Sequence, residues 1–191
     1  MANKNDYIVH ESSYIDENVK IGKNTKIWHF SHVQSGASIG KNTTIGQNVN
    51  IANNVKIGNN VKIQNNVSVY EGVEIEDYVF CGPSMVFTNI LLPRSEFPQN
   101  ENSSYIRTLI KKSASIGANS TIICGNTIGK YSLIGAGTVV TKDVPDFAMI
   151  IGNPGKIVAW VDKKGSKLEF NHEGRSICGL FSFKNNCVRE I

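Results

Sequence analysis

Residues 33–69 read VQSGASIGKNTTIGQNVNIANNVKIGNNVKIQNNVSV, and an aliphatic residue returns at every sixth position: Val33, Ile39, Ile45, Ile51, Ile57, Ile63 and Val69. The same step runs back through Ile27, Ile21 and Ile15 to Val9, and forward through Ile75 to Cys81 and Phe87. There the register breaks, to resume at Ile110, Ile116, Ile122, Ile128, Ile134 and Val140. Four residues after each member stands a small or β-branched side chain, from Ser13 and Val19 to Ser132, Thr138 and Val144, with only Met85 and Asn126 departing.

A period of six is neither the 3.6 of an amphipathic helix nor a bare alternation, so neither element alone places these side chains on one face. A flat-sided solenoid does. If each hexad is a short strand and a turn, the aliphatic and the small residue both point into a prism, and three hexads close an 18-residue coil. Residues 18 apart then stack at about 4.8 Å. The third residue after each aliphatic becomes a turn slot, and it is Asn18, Asn24, Gly36, Asn42, Asn48, Asn54, Asn60, Asn66, Gly72, Asn119, Gly125, Gly137 or Asp143 in most hexads. These residue types best tolerate positive φ.

The remainder of the chain falls around this repeat. Residues 1–8 are a polar lead-in, 9–87 coils, 88–109 (TNILLPRSEFPQNENSSYIRTL) an ejected loop without the repeat, 110–145 further coils, 146–162 an irregular cap and 163–191 a tail with a hairpin or strand covering the solenoid end. A loop of that length inside a compact repeat is a candidate active-site element. The 191 residues, 40% hydrophobic and 19% charged, exclude composition-driven disorder. No apolar run is long enough to span a membrane or resembles a signal peptide, so a soluble cytoplasmic protein is expected. Net charge is +4 without a basic block. Nucleic acid is not an expected partner, whereas anionic small molecules are compatible. Cys81, Cys124, Cys178 and Cys187 have no metal-finger spacing and read as reduced thiols.

The repeat resembles that of the hexapeptide-repeat acyltransferases, which implies an all-β fold, a left-handed parallel β-helix, assembled as a homotrimer with active sites between subunits. Five stretches resemble more closely the bacterial nucleotide-linked 3-amino-sugar N-acetyltransferases. They are KIWHFSH at 26–32, VYEGV at 69–73, DYVFCGPS at 77–84, MVFTN at 85–89 with Pro93 and Arg94, and GNPG at 152–155. The family usually has Asn-Pro-Ala where this chain has Gly155. The resemblance implies acetyl-CoA as co-substrate, no metal, and transfer to the amine of a UDP- or dTDP-linked amino sugar for surface glycan synthesis.

Site residues follow from register and resemblance together. The four His are His10, His29, His32 and His172, none in the loop, so a loop-His base for an O-acyl transfer is lacking. A sugar amine needs less activation, and positioning suffices. Counting back 18 from Asn89 gives Glu71 and then Asn53, so a carboxylate and an amide are expected on one face within about 5 Å at the root of the loop. Asn89, Glu71 and His29 are the catalytic candidates, with Arg94, His32, Tyr70 and Asn53 for the sugar nucleotide. Trp28 and Phe30 beside His29 also read as a subunit contact. Gly117-Ala118 and Gly135-Ala136, 18 apart, make a smooth stripe on which the pantetheine arm can lie. The resemblance places the cofactor there, with Gly117, Ala118, Ala136, Lys142, Asn153, Pro154 and Lys156 as contacts. No Walker or Rossmann glycine pattern occurs. The alternatives are an O-acetyltransferase of the same fold acting on a sugar, serine or antibiotic hydroxyl, a metal-dependent carbonic anhydrase, disfavoured by its His spacing, and an ice-binding scaffold, disfavoured by the loop.

Overall fold

The computed structural model describes residues 2–4, 6–99, 104–185 and 187–191. Mostly two-residue strands with three-sided progression build sheets of ten, seven and six strands, parallel throughout except for the antiparallel strand at each end of the ten-stranded sheet. Lys26–Ile27, His32–Val33 and Ser38–Ile39 make up one coil, and Thr44–Ile45, Asn50–Ile51 and Lys56–Ile57 the next. Lys26 pairs with Thr44, His32 with Asn50 and Lys56 with Ser38, each 18 residues apart. The fold is the left-handed parallel β-helix, with about eight turns.

Its core is the hexad register itself. Ile27, Val33, Ile45, Ile51, Ile63, Val69, Ile116, Ile122, Ile128 and Ile134 are all buried, and the residue four positions on, a Val, Ala, Ser or Thr except for Asn126 after Ile122, is buried beside them. The hydroxyls in that slot have a partner the sequence does not advertise. Thr25, Ser31, Thr43 and Ser120 donate to the carbonyls of Gly40, Gly46, Gly58 and Gly135, each 15 residues ahead. This removes the cost of a buried unpaired hydroxyl and lets Ser and Thr alternate with Val. Thr138 has position 153 as its counterpart, beyond the last full coil, and its hydroxyl is buried without a partner among the described residues.

The turn slot imposes positive φ on Asn, Gly, Ser and aromatic residues alike, though not on Asp143, expected to share it, where the coil is cut short. Asn42 and Asn48 have φ 54°, and so do less tolerant residues in the same slot: Phe30 (56°), Tyr78 (61°) and Tyr131 (57°). A non-glycine residue held there costs on the order of 1–3 kcal/mol, so the stack on either side dictates the turn.

The loop leaves after strand Val86–Phe87 and the chain re-enters as Thr108–Ile110, where Thr108 already pairs with Val73. The stretch read as an irregular cap contains Ala148–Ile151, which continues the ten-stranded sheet in parallel with Leu133–Ile134, and Lys156–Trp160, which closes that sheet antiparallel. In the tail, Phe181–Lys184 and Cys187–Glu190 form an antiparallel hairpin whose Phe181 and Val188 pack on Phe147.

The thiols sort by this architecture. Burial pushes the Cys81 thiol up to about 12, whereas the Ser176 hydroxyl, followed by the backbone at Leu180, holds the exposed Cys178 thiol below its ordinary value. In the unfolded chain Cys81 ionises near 9.0, so its contribution to stability is lost as pH rises from 9.0 towards 12. At pH 8, iodoacetamide should alkylate Cys178 while sparing Cys81 until denaturant is added, as peptide mass spectrometry will read. Equal labelling in the native protein would contradict a closed core.

Candidate functional site

The seven-stranded face differs from the other two. Its outward residues are Tyr14, His32, Asn50, Ser68, Val86, Thr121 and Val139, with no fixed charge among them. The ten-stranded face carries Lys26 and Lys62, and the six-stranded face Lys20, Lys56 and Glu74. An uncharged face with Tyr14 70% and Val86 46% exposed is built to be covered.

Most of the sequence-derived candidates border this face. On one edge His29 stands at the head of a column that descends by backbone hydrogen bonds. Asn48 N–H donates to the His29 carbonyl, Asn66 to Gln47, Ser84 to Asn65, Asn119 to Pro83 and Gly137 to Ala118. His29 and the Ala118/Ala136 stripe therefore share one edge, at opposite ends. The His29 ring stacks on His10, 3.5 Å between centroids, and lies nearly parallel to the Trp28 ring at 6.3 Å. On the other edge lie Asn53, Tyr70, Glu71 and Asn89. The Asn89 side-chain N–H donates to the Glu71 carbonyl at 3.4 Å, so amide and carboxylate residues do stand in successive coils. The Glu71 carboxylate itself accepts from Asn54 Nδ2 at 3.0 Å, leaving Oε2 without a partner among the described residues.

The root of the loop is closed by hydrogen bonds that replace the missing corner of its coil. Ile106 N–H donates to the Asn89 carbonyl and Thr108 N–H to that of Gly72. Above them, Cys124 N–H donates to Thr88 Oγ1 and Gly125 N–H to Thr108 Oγ1. Arg107 pairs with Glu74 at 2.7 Å. Arg94 is exposed in the loop, donates to the Pro93 carbonyl and shares a cavity with Ile90 and Gln99, apart from Glu71.

Lys142 stands where strand Val139–Val140 turns towards Val144, which bridges to Ile128, on the Glu71 edge rather than beside the alanine stripe. The exposed Asn153 and Pro154 lie in the turn that docks on Val139, through Val139 N–H to the Gly152 carbonyl and Gly155 N–H to the Val139 carbonyl. Lys156 is exposed just beyond. Sequence counting missed Asn54 and Asp16, the latter 2.8 Å from His32. Both contacts are diagonal, 17 and 16 residues apart, where a step of 18 finds only direct neighbours. No group of His, Cys, Asp and Glu suited to a metal ion occurs among the described residues.

With Gly117 beneath Ala136, and Ala118 and Ala136 presenting only methyl groups, the stripe leaves backbone accessible over two coils. Replacing either alanine with Phe should raise the KM for acetyl-CoA about tenfold while leaving the melting temperature nearly unchanged, since the slot faces outward. Unchanged acetyl-CoA kinetics in both variants would remove the stripe from the cofactor path.

Residues 18–53 match the bacterial transferase hexapeptide model of six repeats, and residues 36–71 and 112–142 match the hexapeptide repeat of succinyl-transferase. Both models fall on the coils, on either side of the loop, and describe the hexapeptide repeat of transferases. Over 75 residues it is 51% identical to the dTDP-3-amino-3,6-dideoxy-alpha-D-galactopyranose 3-N-acetyltransferase of Aneurinibacillus thermoaerophilus, a stretch that covers 39% of this chain and 38% of that relative. The match therefore spans less than half the length of that relative. A hexapeptide-repeat-containing acetyltransferase of Vibrio cholerae, solved with acetyl coenzyme A, is 25% identical with a TM-score of 0.51, over 66% of this chain and 72% of that one. A GDP-perosamine N-acetyltransferase variant from Caulobacter crescentus, solved with CoA and GDP-perosamine, shares the fold at 21% identity and TM-score 0.51, over 78% of this chain and 54% of that one.

Proposed function

We propose that the protein is an acetyl-CoA-dependent N-acetyltransferase acting on the amine, at carbon 3, of a dTDP- or UDP-linked amino sugar, in the cytoplasm and for surface glycan synthesis. The observation that carries this reading is the 51% identity to a dTDP-3-amino-sugar 3-N-acetyltransferase over 75 residues. The uncharged face, edged by Glu71 and Asn89 on one side and by Ala118 and Ala136 on the other, supports it. A homotrimer would set that face opposite the next copy, with Trp28 and Phe30 in contact and the nucleotide in the cleft between the two subunits, and would bring the His29 edge of one subunit towards the loop edge of its neighbour.

In this reading acetyl-CoA lies along the alanine stripe and reaches Asn153, Pro154 and Lys156, while Lys142 approaches its phosphates from the neighbouring subunit's facing edge. Arg94, Tyr70, His32 and Asn53 bind the sugar nucleotide. The neutral amine, oriented by Asn89, attacks the thioester carbonyl. The N–C bond forms, the C–S bond breaks, and the proton released by nitrogen passes through Glu71 or His29 to the departing thiolate. Holding Glu71 Oε1 with Asn54 leaves Oε2 to face the amine.

The test is to incubate the protein with acetyl-CoA and a panel of UDP- and dTDP-amino sugars while following free thiol. Thiol release with a 3-amino sugar is expected. Release only with hydroxyl acceptors would turn the reading to O-acetyl transfer. Light scattering should give the mass of three chains, and a monodisperse monomer would refute the shared site.

A further inference from the structure

The proton transfer proposed above involves Glu71, Asn89 and His29, and leaves the part of the sugar nucleotide that His32 contacts unspecified. In the first two coils of the uncharged face His32 belongs to a cluster with Asp16 and Tyr14. Asp16 follows strand Tyr14–Ile15, and His32 opens the strand that pairs with it one coil on. His32 Nε2 lies 2.8 Å from Asp16 Oδ1. An ionised carboxylate only accepts, so Nε2 must carry the hydrogen, and Nδ1 of the neutral ring is left as a lone-pair acceptor. Among the described residues Nδ1 has no hydrogen-bond partner. The Tyr14 ring stands edge-on to the imidazole at 5.6 Å and 72°, with most of its surface open.

A fixed acceptor beside an open aromatic ring, on strands without charge, suits neither phosphate nor carboxylate, which require donors. It suits a flat neutral heterocycle bearing an N–H. Position narrows the choice further. His32 is three coils from Asn89, about 14 Å at the strand spacing. That is too far to reach the reacting amine, and of the order that separates base from sugar in an extended nucleoside diphosphate sugar.

We propose that Tyr14 and His32, the latter held by Asp16, form a nucleobase subsite that selects the imide edge of uracil or thymine over cytosine. This rests on the nucleotide-sugar reading. Uracil and thymine present N3–H to His32 Nδ1, and the base stacks on Tyr14. Cytosine presents a lone pair at N3, which would face the lone pair of Nδ1. Asp16 is the positioning residue. It touches no ligand and acts by fixing the tautomer of His32.

Calorimetric titration of the intact protein with UDP against CDP, and with dUDP against dCDP, tests this, because each pair differs only at the base edge. The uracil nucleotide should bind about tenfold to a hundredfold more tightly, the worth of one hydrogen bond exchanged for a repulsion. In Asp16→Asn the amide can donate or accept, which frees the ring to present either tautomer. The preference should then shrink to about threefold or less, with CDP binding tightening as UDP binding weakens. A purely structural Asp16 would weaken both nucleotides together. His32→Phe, which keeps a flat ring and removes the acceptor, should also abolish the preference. Binding without a uracil preference, or a preference that survives Asp16→Asn, overturns the subsite alone. Failure of the wild type to bind any nucleoside diphosphate overturns the subsite and the nucleotide-sugar reading with it.

Discussion

Asn89→Ala is expected to lower kcat by about tenfold to a thousandfold, the loss associated with one positioning or polarising hydrogen bond at the reacting centre. A structural explanation for the same loss can be separated by magnitude. Among the described residues the Asn89 side chain makes one hydrogen bond, to the Glu71 carbonyl, and at 3.4 Å it is long. Such a bond contributes at most about 1 kcal/mol, which for a chain of this size moves the melting temperature by about 2–4 °C. The bond that closes the loop, from Ile106 N–H, goes to the Asn89 backbone carbonyl and survives truncation of the side chain. Unfolding therefore does not account for a hundredfold loss at working temperature. His29→Ala should cost at most about a hundredfold, because its ring is stacked on His10 and its share of the proton transfer is supplementary. Activity should rise with pH as the acceptor amine, with a pKa of about 8, loses its proton. If His29→Ala abolishes turnover while Asn89→Ala is near wild type, the roles are reversed and a histidine base must replace the positioned amine.

The hexad made the prism legible because it is a covalent clock. One residue in six must be aliphatic to fill the prism, one in six must accept positive φ, and both conditions are visible in the letters. The return from the loop was harder to place, since Thr108 and Leu109 lack the signature yet pair with Val73 and Glu74. The edge occupied by Lys142 was not legible either. Between Val140 and Val144 the coil is two residues short, with Val144 bridging to Ile128 at a separation of 16, so counting by 18 loses its meaning there. The same limit hid Asp16 and Asn54. A period reports residues stacked directly over one another, whereas long side chains at corners reach diagonally. The lack of charge on one face was present in the letters but became visible only once strands six residues apart were sorted onto three sides.

Phe87→Ala should be the most destabilising single truncation in the chain. Phe87 occupies the aliphatic slot at the last hexad before the loop and is 1% exposed, among the largest fully buried side chains. Its strand is held from below by Ser68 pairing with Val86 and from above by Ile122 pairing with Phe87. A ring there, rather than a branched aliphatic, fills the prism at the coil whose third corner has been expelled. Neighbouring coils are locked by their own ladders and cannot collapse into the void, so the cavity term adds to the lost transfer energy. The expected cost is about 3–5 kcal/mol. At about 2–4 °C per kcal/mol this lowers the melting temperature by roughly 6–20 °C. Phe87→Leu, which returns the slot to the repeat's own residue type, should lose well under half as much. Because a solenoid transmits stability only between adjacent coils, amide exchange in Phe87→Ala should accelerate first at residues 68–69 and 121–122 and last at 14–15. Uniform acceleration along the whole chain, or a shift below about 2 °C, would mean that Phe87 does not hold the two halves of the helix together across the root of the loop.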